Sequence, residues 1–154
     1  MKTKNSIFYP YFMLVYAVIG IAIAAYDCYM IYTGQLLWCP PPIDGCNTVA
    51  YSPYGRIYGL PIRLFGLVFY LIMFAIVALL AFNSSSRRLR IAVLLYTVIG
   101  VCGSVGFMYL DIAFIHAFCV YCLISAILTL LLLISAIVHF RAPADGYRVT
   151  ANKG

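Results

Sequence analysis

Charge is what this chain has least of. Aspartate, glutamate, lysine and arginine make up 9% of its 154 residues, against 66% hydrophobic ones. That balance excludes a water-soluble domain of this size, because about a quarter of the residues in such a domain are charged. Acids are the scarcest charges, with four aspartates and no glutamate. Histidine is nearly missing too, and Leu123, not a histidine, follows the pair Cys119 and Cys122. That excludes c-type haem attachment. The first hydrophobic run lacks a small-residue cleavage site and is too long and too aromatic for a signal peptide. No polar stretch is long enough for a separate soluble domain.

What the chain has instead is four apolar runs, each near the roughly 20 helical residues that a hydrocarbon core requires. They lie at about 11–32, 62–82, 91–112 and 118–140. The expected fold is an all-α membrane protein, a four-transmembrane-helix bundle forming a single integral membrane domain over 1–154. Residues 33–61 form a long outer loop, and 141–154 form a polar, disordered tail.

The net charge of +6 invites a nucleic-acid reading, but its placement refuses one. Lys2 and Lys4 precede the first run, Arg87, Arg88 and Arg90 fill the second link in "NSSSRRLR", and Arg141, Arg148 and Lys153 follow the fourth. Those eight of ten basic residues fall on one side of a four-span chain; Arg56 and Arg63 fall on the other. The positive-inside rule then puts both termini in the cytoplasm of a cell inner membrane. The long loop and the short link 113–117 face outward, into a compartment where disulfides persist.

Four of the six cysteines belong to that outer side. Cys39 and Cys46 lie in "WCPPPIDGC", and Cys119 and Cys122 open the fourth run as "CVYC". Fully extended, the step from 39 to 46 spans roughly 23 Å, whereas a disulfide needs Cα atoms about 4.4–6.8 Å apart. Pro40, Pro41 and Pro42 stiffen the first half and Asp44-Gly45 supplies a turn. A bridge there would stabilise the chain by only about 2.5 kcal/mol, so by itself it reads equally as a structural staple. Cys119 and Cys122 share a helix face at i and i+3, and a thiol at a helix N-terminus is biased towards the thiolate. A four-thiolate zinc site is the competing use of the same sulfurs. Two pairs on one membrane face make a relay, since exchange passes electrons from pair to pair through a mixed disulfide. Cys122 lies a turn deeper, at the level of lipid, where the acceptor would be a quinone.

Taken in order, the loop C-x6-C, "SPYGRIYGLPIRLFG" and the final "CVYC" resemble the vitamin K epoxide reductase family, in its prokaryotic branch, over about 11–140. The DsbB-type oxidases also have four helices and quinone chemistry, but carry C-x-x-C in the first outer loop; here it comes last. The resemblance implies that Cys39 exchanges with a thioredoxin-like, DsbA-type protein supplied in trans, and that Cys46 bridges transiently to Cys119. Cys122 is then the thiolate next to the quinone, menaquinone or ubiquinone. It further implies a short half-helix near Asn47–Tyr58 over the quinone pocket, Ser52 near the redox centre, and Ile62, Phe65 and Ala126 at the pocket. Vertebrate members place an asparagine and a tyrosine where Ile62 and Ala126 stand, and neither of these side chains can donate a hydrogen bond. That counts against epoxide reduction.

The remaining candidates divide between chemistry and packing. Asp27 carries an insertion cost inside the first run, the usual mark of function, though the interface is near enough to solvate it. His116, three residues before Cys119, could move a proton at the thiol or quinone, or be an ordinary loop histidine. Asp111 flanks the same link. Cys28 and Cys102 are expected as buried fillers, Gly100, Gly103 and Gly106 with Ser104 as a close-packing stripe, and Tyr9, Tyr11, Tyr32 and Tyr109 as an interfacial belt. The expected protein is a membrane thiol–disulfide oxidoreductase that oxidises its partner and reduces a quinone, without metal or nucleic acid, in support of disulfide formation. The rivals are a vitamin K reductase of the endoplasmic reticulum and a non-catalytic four-span scaffold with structural disulfides.

Overall fold

In lipid every backbone N–H must be satisfied within its own segment, so apolar runs of this length become helices. The computed structural model describes residues 5–41, 45–57, 59–82 and 86–141. Lys2, Lys4, Pro42, Asp44, Tyr58, the first half of the second link and the tail from 142 onward lie outside them. Four long helices are present: α1 (Asn5–Tyr32), α3 (Ile62–Phe82), α4 (Arg87–Leu110) and α5 (Val120–Arg141). Each is long and apolar enough to cross a membrane. The chain is a multi-pass membrane protein.

The expected boundaries hold within a few residues, except that α1 starts at Asn5 and α4 at Arg87, ahead of their apolar runs. α1 packs on α3 and α5, and α4 packs on α3 and α5, so the four helices close into a square bundle. Met13, Tyr70, Met73, Val77, Val93 and Leu132 fill its centre. Val15 and Val18 of α1, Val68 and Leu71 of α3, Ile99 and Val105 of α4, and Ile127 and Ile134 of α5 point outward, exposed to the lipid. Tyr11, Tyr32 and Tyr109 are exposed at the helix ends, as a belt requires.

Two packing expectations fail. Cys102 is exposed on the bundle surface and Cys28 is half-buried, so neither is an interior filler. Only Gly100 of the glycine stripe is at a close contact: a Cβ there would meet Phe69 and Thr129, whereas Gly103 and Gly106 face open space. A small residue is compulsory only where another element touches the helix backbone, and the stripe does not continue that contact.

At the loop end, α1 stops at Gly34, whose φ of 68° is the left-handed conformation that glycine adopts freely. The N–H of Gln35 then bonds the Met30 carbonyl at 3.0 Å. The expected half-helix is shorter than Asn47–Tyr58: α2 covers Cys46–Tyr51, a single 3-10 turn covers Pro53–Gly55, and a two-residue ribbon pairs β1 (Arg56–Ile57) with β2 (Leu60–Pro61). Proline at 53 ends α2 because it disfavours the helical region for Ser52 before it. α4 runs on into a π-helical turn at Asp111–Ile115, closed by His116 at φ 52°.

Candidate active site

The loop is clamped to the bundle by side chains that fix where its cysteines fall. Asn47 on α2 grips the backbone of Leu37 from both sides: the Leu37 N–H donates to Oδ1 at 2.8 Å, and Nδ2 donates to the Leu37 carbonyl at 3.0 Å. The Tyr121 hydroxyl of α5 donates to the Trp38 carbonyl at 2.9 Å. The segment leading into Cys39 is thus tied to both α2 and α5. Cys39 and Cys46 are joined in a disulfide with their Cα atoms 6.4 Å apart. Since that bond uses both sulfurs, the four-thiolate zinc reading loses two of its ligands. Among the described residues no group of His, Cys, Asp or Glu is arranged to hold a metal.

Gly45 decides how closely the loop approaches α5. A Cβ at that position would lie 2.7 Å from the Phe118 carbonyl oxygen and 2.8 Å from the Phe118 nitrogen. Only glycine permits this contact, which sets Cys46 in one buried cluster with Cys119, Leu37, Val49 and Ala50. Cys46 and Cys119 are 0% and 4% exposed, whereas Cys39 is half-buried.

Arg63, one residue into α3, is the hub of the site, although its position in the sequence marks it only as an outward basic residue. Its Nη2 donates to the Cys46 carbonyl at 3.1 Å and to Cys119 Sγ at 3.4 Å. Its Nη1 pairs with Oδ2 of Asp27 at 2.9 Å, and both side chains are 8% exposed. One guanidinium therefore links α1, the loop and the mouth of α5. The Cys119 thiol is lowered to about 7. The cause is first its hydrogen bond with the Cys122 thiol and then the Arg63 charge, both acting against burial. It is a thiolate in much of the population at neutral pH.

Cys122 sits between cavities. On one side is an apolar cleft enclosing about 660 Å³ of empty space, part of it open to the surroundings. Ala24, Asp27, Ile62, Arg63, Tyr70 and Ser125 help line it together with Cys122 itself. On the other side Cys122 shares a second cavity with the buried Asp111 at the start of the π-helical turn. Val49 and Ala50 of α2 roof a smaller cavity that Ile62, Arg63, Asp111 and Cys122 share. Of the residues expected at the pocket, Cys122 and Ile62 line the main cleft; Phe65, Ala126, Ser52 and His116 do not. Phe65 points outward at 48% exposure and His116 is exposed. Ser52 caps the 3-10 turn, accepting from the Gly55 N–H at 3.0 Å and donating to the Val49 carbonyl at 3.0 Å. Arg63, Asp111 and Tyr70 are site residues that no spacing rule singles out.

The profile of the vitamin K epoxide reductase family matches residues 11–137, which cover most of each of the four long helices and all four cysteines of the site. The chain belongs to that family. It is also 32% identical over 111 residues to thiol-disulfide oxidoreductase LTO1 of Arabidopsis thaliana. The match covers 68% of this chain and 30% of that protein, so the family domain corresponds to less than a third of the plant protein.

Proposed function

We propose that this member of the vitamin K epoxide reductase family is a membrane thiol–disulfide oxidoreductase of the outward-facing membrane surface. It oxidises a thioredoxin-like protein through Cys39–Cys46 and delivers the electrons to a quinone through Cys119 and Cys122. The observation that carries the reading is the single guanidinium of Arg63, in contact with Cys46 and Cys119 at once and lining the cleft that Cys122 opens onto.

The partner's thiolate attacks Cys39, the more accessible loop sulfur, since Cys46 is fully buried. Resolution of that mixed disulfide releases the oxidised partner and leaves two loop thiols. Cys46 then attacks Cys119 of an oxidised Cys119–Cys122 pair, and Cys122 leaves as the thiolate. Cys39 attacks Cys46 in turn, restoring the loop bond and freeing Cys119. The helix thiols now hold two electrons beside an apolar cleft of the kind that accepts a quinone ring. Two electrons and two protons then leave the thiols for the quinone as Cys119 and Cys122 join.

Eight of ten basic residues fall, in chain order, in the segments on the side of the termini, which supports a cytoplasmic position for the termini and so an extracytoplasmic site in an inner membrane. Ile62 in the cleft wall offers no hydrogen bond, which supports a quinone rather than an epoxide as acceptor. Mixing the purified chain with dithiothreitol and a soluble short-chain quinone tests the proposal. Quinone consumption that disappears in Cys122→Ala is the expected result; a wild-type protein that consumes none overturns it.

A further inference from the structure

A residue lining the cleft carries a polar atom with nothing to bond. Asp27 is buried, and its Oδ2 pairs with Arg63. Its Oδ1 is shut off from solvent and has no hydrogen-bond partner among the described residues. Arg63 Nη1 stands at ion-pair distance from Oδ2 but likewise makes no hydrogen bond, whereas three other polar groups of the same cleft are engaged. Tyr70 donates to the Ser125 carbonyl at 3.0 Å and lies 2.9 Å from the Ser125 hydroxyl, and Tyr121 is occupied by Trp38. Arg63 Nη2 is committed to Cys46 and Cys119. An unpaired buried carboxylate oxygen destabilises a fold unless something completes it. Here that oxygen belongs to a residue lining the cleft that Cys122 also lines.

We propose that Asp27 is the catalytic acid of the quinone half-reaction, an inference that rests on reading the cleft as the quinone site. Protonated, the carboxyl donates a hydrogen bond from Oδ1 to a quinone carbonyl. As Cys119 and Cys122 form their disulfide and give up two electrons, the proton on Asp27 passes to that oxygen. The Cys122 thiol supplies the proton of the second oxygen. The Cys119 proton leaves for the aqueous face when that thiol ionises, and one proton from the same face reloads Asp27. Two thiols and one quinone thus become one disulfide and one quinol, with no proton gained or lost overall. Arg63 also pairs with the carboxylate that transfer leaves behind, which favours giving the proton up. The ionised carboxylate offers only acceptors, so it can hold the quinol hydroxyl until the product departs.

Asp27→Asn keeps the shape and one hydrogen bond but cannot deliver a proton. With dithiothreitol as reductant and a soluble short-chain quinone, kcat should fall by about a hundredfold, the lower range for loss of a general acid. KM should change little, and the solvent deuterium effect on kcat should grow. Asp27→Glu should restore much of the rate. A kcat within about twofold of wild type in Asp27→Asn, or an Asp27→Glu as slow as Asp27→Asn, overturns the inference and makes the pair purely structural. If Asp27→Asn fails to form its Cys39–Cys46 bond, Arg63→Gln is compared with the double variant Arg63→Gln/Asp27→Asn, which buries no lone charge. A further loss of about tenfold or more in the double variant supports the role, and equal rates overturn it. Wild-type protein that reduces no quinone would instead remove the reading of the cleft itself, and this inference with it.

Discussion

Nη2 of Arg63 lies 3.4 Å from Sγ of Cys119, which belongs to a buried cluster beneath the loop. A guanidinium on a buried sulfur favours the thiolate, the form that performs exchange. Together with the hydrogen bond from Cys122 it outweighs burial, and the thiol is lowered from 9.0 to about 7. The same arginine holds the Cys46 carbonyl, so the charge that favours the Cys119 thiolate also holds the chain that carries Cys46.

The first consequence is a pH profile. The thiolate is the form that reacts with iodoacetamide, so alkylation of Cys119 in the reduced protein should rise with pH through about 7 rather than about 9. In Arg63→Gln one of the lowering influences is gone, and the midpoint must move up. At pH 7 that variant should react several-fold more slowly, and the two rates should converge above pH 9. Peptide mapping of the Cys119 adduct against pH measures both curves. Coincident curves would show that Arg63 does not act on this sulfur.

Gly45 gives a steric test of the same encounter. A methyl group there collides with the Phe118 backbone, and overpacking of this kind costs about 1–3 kcal/mol. The backbone must shift, carrying Cys46 away from Cys119. Gly45→Ala should therefore slow turnover driven by a reduced thioredoxin-like protein while leaving dithiothreitol-driven quinone reduction close to wild type. The ratio of the two rates is the quantity to measure. A ratio equal to that of wild type would mean that the loop does not need this close approach.

The spans were legible in the sequence because lipid leaves helices as the only solution for long apolar runs, and the same constraint placed C-x-x-C at a helix mouth. Four cysteines in two segments on the same side of a four-span chain pointed to where to look. Spacing carries no information on which side chain from a distant helix reaches those sulfurs. Arg63 is 56 residues before Cys119 in the chain and touches it only because the loop end of α3 and the mouth of α5 meet beneath the loop. Asp27 was visible as an acid in an apolar run, but its ion pair decides its meaning, and that pair joins α1 to α3. Gly45 reads as a turn residue beside an aspartate; its tight packing on Phe118 appears only in three dimensions. The cleft residues taken from the resemblance divide for a similar reason. Ile62 faces inward, while Phe65, three positions on along α3, points outward.

If Cys39 is the entry point, it is dispensable for a reductant small enough to bypass the loop. Cys39→Ala should abolish turnover with a reduced thioredoxin-like protein and retain dithiothreitol-driven quinone reduction at Cys119 and Cys122. The two assays run on one protein preparation, so loss of fold would remove both rates and is distinguished from loss of entry alone. Equal loss of both activities in a variant that still melts like wild type would make the loop bond structural.

The two helix thiols should strand different intermediates. Cys119 is buried with Cys46 in the cluster beneath the loop, whereas Cys122 is a turn further along and opens onto the cleft. In Cys122→Ala no helix thiol remains to displace Cys46 from Cys119, so a Cys46–Cys119 bridge should accumulate during turnover with a reductant and an oxidant. In Cys119→Ala the loop has no acceptor at the helix, and Cys39–Cys46 should persist as a closed pair until reduced from outside. Acid quenching, alkylation of the free thiols and peptide mass mapping report which bridges each variant holds. Geometry argues against a direct Cys46–Cys122 bond, because Arg63 contacts the Cys46 carbonyl and the Cys119 sulfur together. Recovery of a Cys46–Cys122 bridge from Cys119→Ala, with no Cys46–Cys119 bridge in Cys122→Ala, would exchange the roles of the two sulfurs and place the quinone against Cys119 instead.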